Sequence, residues 1–146
     1  MMATVFAWSM IASYKPPSSF RTSWRATDGF PEESFASFDA KNYEGMKDDQ
    51  SRTPVYVEAL RRTLASHEGE FVVLDIGTGP DALLALMAAR AGAKKVYAVE
   101  AKSMVAEMAS EAVKASGYQD VVEVINGLST DIELPEKADL LVAEVI

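Results

Sequence analysis

The chain has 146 residues, and 49% of them are hydrophobic, so it is long enough to form one domain with a buried core. It has no cysteine and a single histidine, which excludes disulfides, thiolate nucleophiles and metal sites built from cysteine or several histidines. The net charge of −8 argues against nucleic acid as a partner and suits a cationic substrate. The one histidine, His67, lies in a polar stretch (residues 66–70) that is predicted to be a solvated loop.

The charge is distributed unevenly along the chain. Residues 1–26 contain Lys15, Arg21 and Arg25 but no acid, whereas the rest has 11 basic and 22 acidic residues. This serine-rich start is typical of either a disordered tail or an organelle presequence, and both readings stay open beside a cytoplasmic or nuclear location. Residues 1–12 are apolar but too few to span a membrane, so no membrane partner is expected. We therefore predict a tail and irregular linker over residues 1–42 and one domain over residues 43–146.

The segment from Tyr43 to Leu64 is predicted to be helical in two parts. An apolar stripe begins at about Thr53, and Pro54 lies where the first turn of a helix tolerates a missing N–H. Before it, Met46, Asp49 and Arg52 are spaced three apart, which predicts one face of a short helical segment.

The segment from Phe71 to Glu100 is the centre of the predicted fold. A continuous apolar run ends at Asp75 and is followed by Gly77 and Gly79, as expected of a buried parallel strand and a tight turn. A helix is predicted over 81–91, with Pro80 in its first turn and a glycine at its end, and a second strand over 95–99 ends at Glu100. This unit predicts a right-handed parallel crossover.

The turn and the two acidic strand ends predict a nucleoside site. Backbone without Cβ atoms lets a ligand lie close, and a carboxylate at the end of the second strand can accept both hydroxyls of a ribose. Glycines between a strand and a helix can also be turn residues only. A dinucleotide site such as that for NAD is the minority reading, because Asp75 stands where an apolar residue is usual and Ala82 stands where a third glycine is usual.

The rest of the chain completes an α/β sheet. A helix over 102–116 is predicted to pack Met104 and Met108 into the core, and strands are predicted over 121–125 and 139–146. The predicted strand order is 3-2-1-4. The fourth strand would form an open apolar edge, which indicates either a fragment or a partner that covers this strand.

Several segments resemble the protein arginine methyltransferases, a family of class I S-adenosylmethionine-dependent methyltransferases. The resemblance covers residues 43–146 and rests on four segments: Tyr43-Glu-x-Met with Asp49, Arg52 and Tyr56; Leu74–Gly79; Ala91–Ala101; and Glu133–Lys137. It implies a Rossmann-like three-layer methyltransferase sheet, C-terminally incomplete, with S-adenosylmethionine as the cofactor and a protein arginine as the methyl acceptor. A small-molecule methyltransferase and a non-catalytic cofactor-binding fragment remain as alternatives.

The resemblance also implies a role for individual residues. Arg52 would hold the methionyl carboxylate, Met46 would lie near the sulfonium, and Tyr43 takes a position that is often histidine. The remaining contacts would run from the methionyl end (Asp75, Gly77, Gly79) through the ribose (Glu100, Ala101) to the adenine (Ser129, Thr130).

Two features depart from the family's pattern, and one residue agrees with it. Thr130 stands where many relatives have glutamate, and Pro80-Asp81 brings one extra residue, whose carboxylate either points away or meets the cofactor's ammonium group. Glu144 matches the first of two glutamates that clamp the substrate guanidinium, so it is the predicted catalytic residue.

Overall fold

The structure is a computed structural model that describes residues 5–7, 40–65 and 71–144. The predictions for the rest of the N-terminal tail, for the loop with His67 and for the last two residues lie outside this part of the chain. The elements, in chain order, are β1 (Val5–Ala7), α1 (Ala40–Lys47), α2 (Thr53–Ala65), β2 (Val72–Ile76), α3 (Leu83–Arg90), β3 (Lys95–Glu100), α4 (Ser103–Ala115), β4 (Val122–Asn126) and β5 (Leu140–Ala143). None of the described helices is long and apolar enough to cross a membrane.

The strands form one sheet in the order β1-β5-β2-β3-β4. The four strands from β5 to β4 are parallel, which confirms the predicted order 3-2-1-4. The outer edge of β5, which was expected to be open, pairs antiparallel with the chain's own β1. In the register of β2 and β3, Asp75 lies opposite Ala98, and Glu100 lies two residues beyond Ala98. Because side chains alternate along a strand, Asp75 and Glu100 point to the same face of the sheet.

The main core lies between that face and the helices. Crossovers from β2 to β3 and from β3 to β4 run in one direction, so right-handed connections place α3 and α4 on one side. Buried residues of α2, α3 and α4 join a single cluster there, among them Leu60, Met87 and Ala109. The segment that returns from β4 to β5 contributes Leu134 and Ala138 to a smaller cluster on the opposite face. The described helices α2, α3 and α4 therefore cover one face only.

The helix after the glycine turn starts later than predicted. It begins at Leu83 instead of residue 81, and Pro80 lies in the turn before it. The cause is Ala82, which has a left-handed backbone with φ of 46° and so interrupts the right-handed helical path. At the other end the prediction is confirmed, because Gly92 follows the helix with φ of 98°.

The prediction that the methionines of α4 lie in the core is wrong. Met104 is 71% exposed and Met108 is 49% exposed. The buried stripe is instead formed by the small residues Ala106 and Ala109 with Val113, at the spacing of one helical face. Alanines bring the helix close to the sheet, so the longer side chains are left on the solvent side.

Candidate functional site

A hollow of about 310 Å³ lies at the carboxyl ends of β2, β3 and β5. From β2 the chain runs outward through β3 to β4, and it then returns to add β5 on the other side of β2, so the strand order reverses at β2. Ligands of open α/β sheets bind at such a switch point. Its volume falls within the range of small-molecule sites. It is lined by residues of α1, the glycine turn, the strand ends and the loop after β4: Tyr43, Met46, Lys47, Arg52, Ile76, Gly77, Thr78, Asp81, Leu83, Leu84, Val99, Glu100, Ala101, Lys102, Val105, Gly127, Leu128, Ser129 and Glu144.

Most of the predicted site residues meet in this hollow, and three do not. Those that line it come from five separate stretches of the sequence: Tyr43, Met46, Arg52, Gly77, Glu100, Ala101, Ser129 and Glu144. Those that do not line it are Asp75, Gly79 and Thr130.

Glu100 fixes the shape of the glycine turn with both carboxylate oxygens. The Gly79 N–H donates to Oε2 at 3.1 Å, and the Lys102 N–H donates to Oε1 at 3.0 Å. The N–H groups of Gly77 and Thr78 donate to the carbonyl of Val99, so the turn is tied to β3 along its length. A carboxylate oxygen can accept more than one hydrogen bond, so Glu100 keeps capacity for a ligand hydroxyl.

Asp75 lies beneath the turn instead of in the hollow, because its side chain is fully buried. Its Oδ2 accepts hydrogen bonds from the Thr78 hydroxyl at 2.6 Å and from the Ala85 N–H at 3.1 Å. Its Oδ1 has no hydrogen-bond partner among the described residues. Burial raises the pKa of Asp75 to about 7, against the lowering effect of the two hydrogen bonds. Asp75 therefore stabilises the turn and the start of α3 through hydrogen bonds.

Gly79 lies against Tyr43 and not against the open space. Its φ is 68°, and a Cβ added there would be 2.8 Å from the Tyr43 ring. The tyrosine ring thus packs α1 directly onto the turn. Burial, and then the charges of Glu100 and Asp81, raise the pKa of Tyr43 above its ordinary value, so its hydroxyl stays protonated at neutral pH.

Arg52 and Glu144 form an ion pair at the edge of the hollow, and their side chains are only 13% and 18% exposed. The Arg52 Nη1 also donates to the Met46 carbonyl at 3.1 Å. Its Nε is buried and has no acceptor in the described part of the chain. A buried guanidinium N–H that lacks a partner is a place for an anionic ligand group.

The predicted single face of Met46, Asp49 and Arg52 is wrong, because a turn separates α1 from α2. Asp49 Oδ1 accepts hydrogen bonds from the N–H groups of Ser51 at 2.8 Å and Arg52 at 3.1 Å, in the manner of a helix cap. Arg52 is thereby held immediately before the first residue of α2, whose predicted start at Thr53 is confirmed.

The far end of the hollow is formed by the loop after β4. Asn126 Nδ2 donates to the carbonyls of Glu100 and Ala101, which ties this loop to the end of β3. Ser129 lines the hollow, whereas Thr130 is exposed and its hydroxyl donates to Asp131 at 2.8 Å.

Lys47 and Lys102 also line the hollow, and neither is among the predicted site residues. Lys47 Nζ lies 2.6 Å from Asp81 Oδ1, so the extra carboxylate of the turn has a partner within the chain. The sequence does carry a signal for Lys47: it lies four residues after Tyr43, which places both on one face of a helix.

The known proteins to which this chain is similar are methyltransferases. The family model for ribosomal protein L11 methyltransferase (PrmA) matches residues 51–146. A protein arginine N-methyltransferase PRMT10 of Oryza sativa subsp. japonica is 47% identical over 96 residues, which cover 66% of this chain and 24% of the relative. PRMT10 of Arabidopsis thaliana is 46% identical over 99 residues, which cover 68% of this chain and 25% of the relative.

Solved structures of protein arginine methyltransferases are also similar to this chain. The crystal structure of Arabidopsis thaliana protein arginine methyltransferase 10 has a TM-score of 0.63 and 40% identity, covering 73% of this chain and 30% of that one. The Trypanosoma brucei PRMT1 enzyme–prozyme heterotetramer with AdoHcy has a TM-score of 0.64 and 38% identity, covering 70% of this chain and 32% of that one. The chain spans about a quarter of the length of the curated relatives it matches.

Proposed function

This chain belongs to the protein arginine methyltransferase family of class I methyltransferases, and we propose that its hollow binds S-adenosylmethionine as the cofactor of a methyl transfer to a protein arginine. The observation that carries the proposal is the convergence of Arg52, Glu100 and Glu144 on one hollow beside the glycine turn. In this proposal the first would bind a carboxylate, the second hydroxyl groups and the third a guanidinium, although the three residues are distant in the sequence.

The residues fit the cofactor at the end where its amino-acid group would lie. Arg52 has a buried Nε–H without an acceptor among the described residues, and the ligand carboxylate would supply that acceptor. Glu100 would accept the ribose hydroxyls while still holding the turn. S-adenosylmethionine, when bound, supplies a methyl group on a positively charged sulfur.

Glu144 would act on the methyl acceptor. An arginine side chain is protonated in water, and a carboxylate can hold its guanidinium plane in a fixed orientation. The pairing of Glu144 with Arg52 supports this role, because it places a guanidinium on this carboxylate already. The acceptor would share Glu144 with Arg52, and orientation of the reacting nitrogen would supply much of the rate enhancement.

Calorimetry with S-adenosylhomocysteine tests the cofactor site. We expect Arg52→Met to weaken binding by roughly 10- to 100-fold, the range for loss of a hydrogen bond to a charged group. Arg61→Met is the matched control, because Arg61 lies on the exposed side of α2 and pairs with Glu58. Equal affinity in wild type and Arg52→Met would contradict the proposed site. Tight binding of NAD instead would favour the dinucleotide reading.

The acceptor class can be tested through peptide binding in the presence of S-adenosylhomocysteine. We expect an arginine-rich peptide to bind more tightly than a lysine-rich peptide of equal charge, and Glu144→Gln to remove that difference. The lysine peptide controls for attraction by the acidic chain as a whole. Equal binding of the two peptides to the wild type would favour a different acceptor.

We further propose that the 146-residue chain binds the cofactor but transfers no methyl group by itself, since it spans only about a quarter of its relatives. Labelled methyl transfer to the arginine-rich peptide by the purified chain would contradict this.

A further inference from the structure

The contact between α1 and the glycine turn is made at two points. Tyr43 and Lys47 are four residues apart in α1, so they project from the same face of the helix. Gly79 and Asp81 are two residues apart in the turn. The ring of Tyr43 lies on Gly79, and Lys47 Nζ is 2.6 Å from Asp81 Oδ1. One face of α1 thus contacts two positions of the turn.

The ion pair also changes the charge that the hollow presents to a ligand, since both Lys47 and Asp81 line it. Asp81 alone would be a carboxylate close to a ligand that carries a carboxylate of its own. Lys47 neutralises it from within the chain. The sequence left two orientations open for Asp81, one that points away and one that meets the cofactor's ammonium group. In the structure Asp81 lines the hollow and its carboxylate already has Lys47 as a cationic partner.

We propose that Lys47 is a positioning residue, which through its ion pair with Asp81 holds α1 against the glycine turn and so sets the affinity of the hollow for its ligand. The side chains are 43% and 31% exposed, and solvent-exposed ion pairs are individually weak. The pair can therefore break without unfolding the domain. Its loss lowers the fraction of molecules in which α1 lies against the glycine turn. The part of this inference that concerns affinity rests on the proposed function.

A double-mutant cycle on the full 146-residue chain tests the proposal, with Lys47→Met, Asp81→Asn and the double variant. The first measurement is hydrogen exchange of the α1 amides without ligand, and the second is calorimetry with S-adenosylhomocysteine. We expect each single variant to exchange faster in α1 and to bind roughly two- to fivefold more weakly. The double variant is expected to lose no more than the single ones, because all three remove the same pair.

Three controls keep the outcomes distinct. Lys47→Arg keeps the positive charge and is expected to behave as wild type, and Lys137→Met removes a lysine from the exposed loop before β5. The amides of β2 and β3 report in the same experiment whether each variant is folded. The difference between wild type and Lys47→Met should also shrink at high salt.

Unchanged α1 exchange in both single variants, or losses that multiply in the double variant, would overturn the proposal. If the wild type binds no S-adenosylhomocysteine, the proposed function fails by itself, and the exchange of α1 still decides whether Lys47 and Asp81 act together.

Discussion

The carboxyl group of Asp75 is placed where its charged form is disfavoured. It is fully buried beneath the glycine turn, and one of its two oxygens has no hydrogen-bond partner among the described residues. Burial raises its pKa from the ordinary value of 3.8 to about 7. The folded state therefore binds a proton more tightly than the unfolded state does, which makes stability depend on pH.

The sign of that dependence follows from the raised pKa. The contribution of Asp75 to the free energy of unfolding is fully present below about pH 4 and is lost as the pH rises through about 7. The loss is on the order of 4 kcal/mol for a shift of this size. We expect Asp75→Asn to remove this dependence, so that the variant gains stability relative to wild type between pH 5 and pH 8.

Thermal unfolding of both proteins at several pH values measures this difference. Asp120→Asn, at an exposed position, is the matched control for the loss of a carboxylate. A difference between wild type and Asp75→Asn that stays constant with pH would contradict the assigned protonation behaviour.

Ala82 stores backbone strain at the start of α3. Its φ of 46° is left-handed, and its side chain is fully buried. Replacement by glycine removes the steric cost of about 1–2 kcal/mol but also removes a buried methyl group worth about 0.8 kcal/mol and adds freedom to the unfolded chain. We expect Ala82→Gly to change the free energy of unfolding by less than about 1 kcal/mol.

A β-branched side chain at the same position is expected to behave differently. Ala82→Val should destabilise by more than about 2 kcal/mol, because valine is strained at positive φ and has no space in the core. Urea unfolding of the two variants measures the contrast, and equal stabilities would contradict the left-handed assignment.

At the scale of elements, the sequence predicts the strands well, because buried parallel strands are continuous apolar runs. The four parallel strands lie where these runs were found, with ends that shift by a few residues at most. The start of α3 could not be predicted, because alanine has a high helix propensity and nothing local in the sequence marks the left-handed backbone of Ala82. Likewise, the partner of Asp81 depends on how α1 docks, which no local pattern of the sequence specifies.

The buried stripe of α4 provides a test at the same scale. Periodicity alone does not distinguish a stripe of methionines from a stripe of alanines one position away, and the structure buries the alanines. We expect Met108→Lys to change the free energy of unfolding by less than about 0.5 kcal/mol, because the position is on the exposed side of α4 and a lysine can extend its charged end into solvent. Ala109→Lys should destabilise by at least about 2 kcal/mol, since it places a charge in the core.

Denaturant titration of both variants measures this prediction, with Lys114→Met, an exposed position of the same helix, as the control. Similar destabilisation by Met108→Lys and Ala109→Lys would contradict the observed orientation of α4.

For the whole molecule, the pairing of β1 with β5 determines which edge of the sheet is covered. Val5–Ala7 pair with Leu140–Val142, so the strand predicted to be open has a neighbour from the same chain. An unpaired strand at this edge would offer free backbone groups to other molecules.

We therefore expect a chain that begins at residue 8 to be less stable and to associate as its concentration rises. Sedimentation velocity over a range of concentrations measures the association. A chain that begins at residue 5 keeps β1 and is the matched control. Identical sedimentation of the two shortened chains would contradict a protective role for β1.

Glu100 holds the glycine turn whether or not it also binds a ribose, and this affects how a mutation of Glu100 must be interpreted. Its two oxygens anchor the backbone of residues 79 and 102, so a truncated side chain would let the loop relax even if no sugar ever touched it. Weaker ligand binding by Glu100→Ala could then result either from the relaxed loop or from the loss of a contact with the ribose. A nucleoside analogue that lacks the vicinal hydroxyls, titrated into the wild-type protein, separates the two causes. It changes the ligand and leaves the structure of the loop as it is.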